Sequence, residues 1–138
     1  MITSTDNIIA AITTRYPATQ AIYLFGSYAT ENERPDSDVD IALLLAPDTA
    51  KREGNLVLHP LRPRLETLLN KDVDLINLRQ VSTVFQKEII GADRRVYTGD
   101  AYAADEFEML VLSFYQKLNE ERAEILVEGL RSGTFYSP

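Results

Sequence analysis

Cysteine is absent from the 138 residues, which removes disulfides, thiolate metal sites and a thiol nucleophile from consideration. Histidine occurs once, at His59. A lone imidazole makes no zinc site, and beside Pro60 it reads as structural or exposed. Ser27 also lacks the Gly-x-Ser-x-Gly setting of a hydrolase nucleophile. No run of eighteen apolar residues is present, so no membrane span is expected. No Gly-x-x-x-x-Gly-Lys-[Ser/Thr] occurs, which argues against a P-loop enzyme. The opening "MITSTDNIIAAITTRYP" lacks a basic segment followed by an unbroken apolar core, so no secretory signal is expected. Without signal or disulfides, the expected location is cytoplasmic. Positive charge is scarce: 14 Lys and Arg stand against 21 Asp and Glu, a net charge of −7. Nucleic-acid binders usually present a basic face, so direct nucleic-acid binding is not expected. A nucleotide held through metal ions is compatible with this balance.

What is there fits one globular domain, residues 1–138, with 45% hydrophobic and 25% charged residues. Ile8, Ile9 and Ile12 form the stripe of a helix from about Thr5 to Arg15, stopped by Pro17. "QAIYLF" is a buried strand ending at Gly26. Tyr28 to Ser37 is polar, holds Pro35 and reads as a loop or a helical turn followed by a loop. "DVDIALLL" and "KDVDLINL" are two further strands. Leu61, Leu65, Leu68 and Leu69 mark a helix between them, expected to become regular near Pro63 after an irregular stretch. Thr83-Val84-Phe85-Gln86 has capping-box spacing and opens a helix to about Gly91. "RRVYTG" is a fourth strand. Phe107, Leu110, Val111, Phe114 and Leu118 then trace a long amphipathic helix, about 100–130, before a tail expected to fray. This order makes a small α/β domain with a mixed sheet packed by helices.

The chemistry sits in "FGSYATENERPDSDVDIALLL". Side chains alternate along a strand, so Asp38, Asp40, Ala42 and Leu44 share one face, and Val39, Ile41, Leu43 and Leu45 the other. Two carboxylates at i and i+2 lie ~7 Å apart at Cα. Unpaired, they repel and are desolvated beside an apolar sheet. A divalent cation removes the conflict, because Mg²⁺ is usually held by one or two carboxylates together with substrate phosphates. Asp74, on the face of Asp72, Ile76 and Leu78, supplies a third carboxylate if its strand is a neighbour; Asp72 is the alternative, although it precedes the regular strand. Such a trio suits two metal ions ~3.5–4 Å apart that clamp a phosphoryl transfer. Gly26 lets a backbone N–H approach a triphosphate, and the Ser27 hydroxyl adds a donor. The bland reading is a plain turn followed by strand-edge charges.

"GSYATENERPDSDVDIALLL" followed by "KDVDLINL" resembles the nucleotidyltransferase superfamily typified by DNA polymerase beta. Within it, the chain is most similar to the minimal nucleotidyltransferase antitoxins, a likeness strengthened by "LRQVSTVFQKEIIGADRRVY". The resemblance spans about Tyr23 to Tyr97. It implies a polymerase beta-like fold and a cognate HEPN ribonuclease toxin as partner. It also implies silencing of that toxin by transfer of AMP from ATP to a toxin tyrosine, as well as by binding, with two Mg²⁺ ions. In the same resemblance Gly26 and Ser27 match the triphosphate-binding pair, and Asp38 and Asp40 the metal ligands. Asp74 matches the third ligand, which activates the attacking hydroxyl. Two features depart from the pattern. Tyr28 stands where many relatives have a basic residue, and Pro60 and Pro63 interrupt what is often one continuous helix. A small-molecule nucleotidyltransferase of the aminoglycoside-modifying kind is the alternative, although those enzymes usually carry an extra helical domain. A binding-only antitoxin is the other, and a pure binder has no need of three gathered carboxylates.

Arg34 reads as a solvated loop arginine near the phosphate side, and Lys87, Arg94 and Arg95 as surface charges. The tyrosines are mostly expected to pack. Asp105, Glu106, Glu108, Glu120, Glu121, Glu124 and Glu128 read as the soluble face of the last helix, with a basic partner as the functional alternative.

Overall fold

Four strands, β1 (Ala21–Phe25), β2 (Val39–Leu44), β3 (Val73–Asn77) and β4 (Arg95–Thr98), form one mixed sheet in the order β3-β2-β1-β4. β1 runs antiparallel to both neighbours, whereas β2 and β3 are parallel. The computed structural model describes residues 3–28, 30, 33–34 and 37–132, the last five as helix backbone. Pro35 and the tail 133–138, expected as loop and frayed end, lie outside the described residues.

The period of two along the strands sorts the core into two halves. Val39, Ile41, Leu43 and Leu45 join Ile22, Leu24, Val73 and Leu75 on one face, buried against Ile8 and Ile12 of α1 (Ser4–Arg15) and Leu61 and Leu65 of α3 (Leu61–Leu69). Ala42 and Leu44 join Ala21, Tyr23 and Leu78 on the other. That face packs on Ile89 of α4 (Thr83–Gly91) and on Ala104, Phe107 and Val111 of α5 (Ala101–Ser132). The result is helices, sheet, helices in three layers. α1 is closed by a reciprocal cap in which the Thr3 hydroxyl accepts from the Asp6 N–H and the Asp6 carboxylate accepts from the Thr3 N–H. These bonds hold the Asp6 pKa below its ordinary value.

Three local expectations are corrected. The stretch expected to be irregular contains α2 (Pro47–Glu53). Proline opens it, where the missing N–H has no intrahelical partner to lose. Asn77 closes it by donating to the Ala50 and Gly54 carbonyls, both at 2.9 Å. The helix expected from about Pro63 begins at Leu61, so Pro63 sits in its first turn, where proline is also tolerated. The α4 cap is Ser82, whose hydroxyl accepts from the Phe85 N–H, and not Thr83. Apart from these corrections, the expected amphipathic α5 is covered only at its start: Phe107 and Val111 are buried, but Leu110 and Phe114 are 47% and 57% exposed.

His59 is structural, as expected. Its Nδ1 accepts from the Leu61 N–H at the head of α3, and its Nε2 lies 2.8 Å from the Tyr16 hydroxyl. Among the described residues no helix is long and apolar enough to cross a membrane.

Candidate active site

Asp40 pairs with Phe25 across the antiparallel β1–β2 ladder, so the chain leaving β1 turns directly beside its carboxylate. That turn begins at Gly26 with φ +75°. An added Cβ would lie 2.1 Å from Asp40 Oδ2. Only glycine combines the left-handed backbone with so close a neighbour. Ser27 is half-buried and Gly26 exposed, and within the turn the Thr30 N–H donates to the Ser27 carbonyl at 3.1 Å. Among the described residues, this segment is a turn and not the start of a helix. Tyr28, which replaces the basic residue of many relatives, is buried in the α1/α3 half of the core and anchors the turn from beneath.

Asp74 is brought to the same rim by register. In the parallel β2–β3 ladder Asp40 is the direct partner of Asp74, and paired residues on adjacent strands sit ~4.8 Å apart with side chains on one face. Asp38 precedes β2 by one residue and shares the face of Asp40 by alternation. Asp38 and Asp74 are exposed, and Asp40 is half-buried. Burial first, then the charges of Asp74 and Asp38, raise the Asp40 pKa above its ordinary value. No protein cation figures among these influences. The trio therefore gathers negative charge at a mouth bordered by Phe25, which meets Phe85 edge to face with ring centroids 5.7 Å apart. Among the described residues no three carboxylate, imidazole or thiolate side chains stand close enough together to hold a metal ion by themselves. The carboxylates are side by side and open to solvent on one side, an arrangement that leaves coordination positions for other oxygen ligands. Asp72 ends just before β3, with its carbonyl accepting from the Val39 N–H at 2.9 Å.

Three basic residues read as surface charges are engaged instead. Lys87 sits over the Tyr115 ring at 5.1 Å. Arg95 donates to Asp105 Oδ1 at 3.0 Å and to Glu108 Oε2 at 2.7 Å, and Glu108 also accepts from the buried Tyr23 hydroxyl at 2.8 Å. Burial, then this bond, pushes the Tyr23 pKa well above its ordinary value. Asp105 and Glu108 thus fasten α5 to the sheet and are not merely its soluble face. Arg94 donates to the Gly26 carbonyl at 3.0 Å and to the Tyr28 carbonyl. No local signal marked Arg94, which precedes β4 and bonds backbone carbonyls far away along the chain. Arg34 is exposed, its N–H bonded to Ser37 Oγ and its carbonyl accepting from Lys71.

The comparisons agree with this geometry. The family model "Polymerase beta, Nucleotidyltransferase" matches residues 7–102. The protein adenylyltransferase MntA of Shewanella oneidensis is 35% identical over 121 residues, which cover 88% of this chain and 84% of MntA. A crystal structure of a toxin–antitoxin with AMP-PNP superposes with a TM-score of 0.70 at 31% identity, over 91% of this chain and 98% of that one. Another, of tri-AMPylated Shewanella oneidensis HEPN toxin with MNT antitoxin, gives 0.66 at 31% identity, over 92% and 96%. With the match running from α1 to the first turn of α5, the chain belongs to the polymerase beta nucleotidyltransferase family.

Proposed function

We propose that this chain is an antitoxin nucleotidyltransferase that transfers AMP from ATP to a tyrosine of a cognate HEPN ribonuclease toxin and so neutralises it. The observation that carries the reading is the pairing of Asp40 with Asp74 beside the Gly26–Ser27 turn. It is supported by the likeness to a protein adenylyltransferase and to an antitoxin solved with tri-AMPylated HEPN toxin. Residues 1–138 act as one catalytic unit in this reading, in the cytoplasm, where ATP is available.

The donor set fits magnesium: all-oxygen, anionic, and without a protein counter-charge at Asp40. Asp38, Asp40 and Asp74 would hold two Mg²⁺ ions, which when bound neutralise the triphosphate and polarise its α-phosphorus. The residues then divide the work. Gly26 and Ser27 orient the β- and γ-phosphates as the leaving pyrophosphate. Asp74, the most open of the strand-borne carboxylates, receives the proton of the attacking tyrosine hydroxyl. The tyrosine oxygen bonds to the α-phosphorus as the α–β bridging bond breaks, giving tyrosyl-AMP and pyrophosphate.

The test is incubation with α-labelled ATP, Mg²⁺ and the neighbouring toxin, repeated with Asp38→Ala/Asp40→Ala. Label on the toxin, reduced by at least ~10³-fold in the double variant, is the expected result, since removal of charge-stabilising groups costs about that much. Label confined to small molecules would indicate the aminoglycoside-type activity, and toxin silenced by both proteins without label would indicate a binding-only antitoxin.

A further inference from the structure

Arg94 acts on the Gly26–Ser27 turn from outside the carboxylate trio. α4 ends in a turn in which the Ala92 N–H donates to the Glu88 carbonyl and the Asp93 N–H to the Ile90 carbonyl. Asp93 adopts φ +56°, which redirects the chain into β4. The β1–β4 ladder then shifts by one residue: Ile22 pairs with Tyr97 but Tyr23 with Arg95, leaving Val96 as the extra residue. Beyond the shift, the Leu24 N–H donates to the Arg94 carbonyl at 2.9 Å. Arg94 is thereby fixed beside the end of β1, and its guanidinium reaches the Gly26 carbonyl through Nη1 and the Tyr28 carbonyl through Nη2.

A planar trans peptide sends its N–H opposite to its C=O. With the Gly26 carbonyl drawn to Arg94, the Ser27 N–H is turned to the other side of that peptide. Among the described residues neither the Ser27 N–H nor its hydroxyl has an acceptor. The same guanidinium takes up two carbonyl oxygens that would otherwise present negative dipoles to an incoming triphosphate. Among the described residues the Arg94 guanidinium bonds these two carbonyls and pairs with no carboxylate, so it is engaged at the turn.

From this geometry we propose that Arg94 is the positioning residue of the phosphate-binding turn: its two-pronged hold sets the Gly26–Ser27 peptide so that the Ser27 amide and hydroxyl are free to donate to the triphosphate. The proposal rests on the nucleotidyltransferase reading. It requires the rigid fork of arginine, because a lysine ammonium supplies the charge without matching two fixed acceptors.

The experiment measures binding of Mg²⁺ with a non-hydrolysable ATP analogue by calorimetry to the full chain and to Arg94→Ala and Arg94→Lys. Steady-state transfer and amide hydrogen exchange over residues 26–28 are followed alongside. Both variants are expected to bind roughly ten- to a hundredfold more weakly, the size of losing hydrogen bonds from a charged donor. KM for ATP should rise more than kcat falls, and exchange in the turn should quicken. Where Arg94→Ala folds poorly, Arg94→Lys carries the test. Wild-type affinity in Arg94→Lys would mean that charge alone matters and would overturn the tether. Unchanged binding in both variants would also overturn it, while leaving the enzymatic reading intact. A wild-type chain that binds no nucleotide under these conditions would bring down both.

Discussion

Asp40 is held where its charge is opposed: half-buried, paired with Asp74 and two residues from Asp38. A carboxylate whose folded pKa lies above its unfolded value of about 3.8 binds protons more readily in the folded chain. Without cations, stability therefore falls as pH rises through the window between those two values and stays level above it. Asp40→Asn removes the like-charge pair, so it should stabilise the metal-free protein above that window by up to about 1 kcal/mol while abolishing transfer. Urea midpoints over a pH series, with and without Mg²⁺, check this. The wild type should gain stability from Mg²⁺ at neutral pH and lose the gain as acid protonates Asp40, whereas the variant should show neither effect. Gly26, Asp38, Asp40 and Asp74 were legible in the sequence because a period of two and a glycine before a polar loop are local signals. Arg94 was not, because its acceptors lie 68 and 66 residues away and are backbone oxygens that any residue would provide.

At the scale of elements, apolar periodicity located α1, α3 and α5, a capping signal located α4, and neither found α2. The seven residues of α2, "PDTAKRE", bury only Ala50, too little to leave a stripe. What holds them is Asn77, a polar residue on an otherwise apolar strand face, buried to 3% exposure with no partner for its Oδ1 among the described residues. The long helix shows the converse limit. Its stripe is continuous in sequence, yet the body covers only the first turns, because the sheet it packs on is four strands wide. Phe107→Ala should cost about 3–4 kcal/mol by emptying a buried site. Phe114→Ala, on the same stripe but 57% exposed, should change stability by less than about 0.5 kcal/mol. Thermal or urea unfolding of the two variants side by side separates them.

For the whole molecule, the notable fact is how much of the candidate site depends on long-range pairing. Gly26 follows the strand at one side of β2 and Asp74 lies on the strand at its other side, so the carboxylates and the Gly26–Ser27 turn meet only when the central ladders are formed. The transferase activity and the far-ultraviolet circular dichroism should accordingly lose half their amplitude at the same urea concentration. Activity that fades well before the sheet would mean that a smaller, separately melting part of the chain governs the chemistry.

The Asp40–Asp74 pairing in the parallel ladder has a further consequence. Sliding β3 by a single residue would turn Asp74 to the opposite face of the sheet, among the aliphatic side chains of the α1/α3 layer. That one-residue slip separates Asp74 from Asp38 and Asp40, so a newly made or damaged copy mispaired in this way should be inert. Such a copy would neither consume ATP nor label a bystander protein, and the power to modify arrives only with the finished fold.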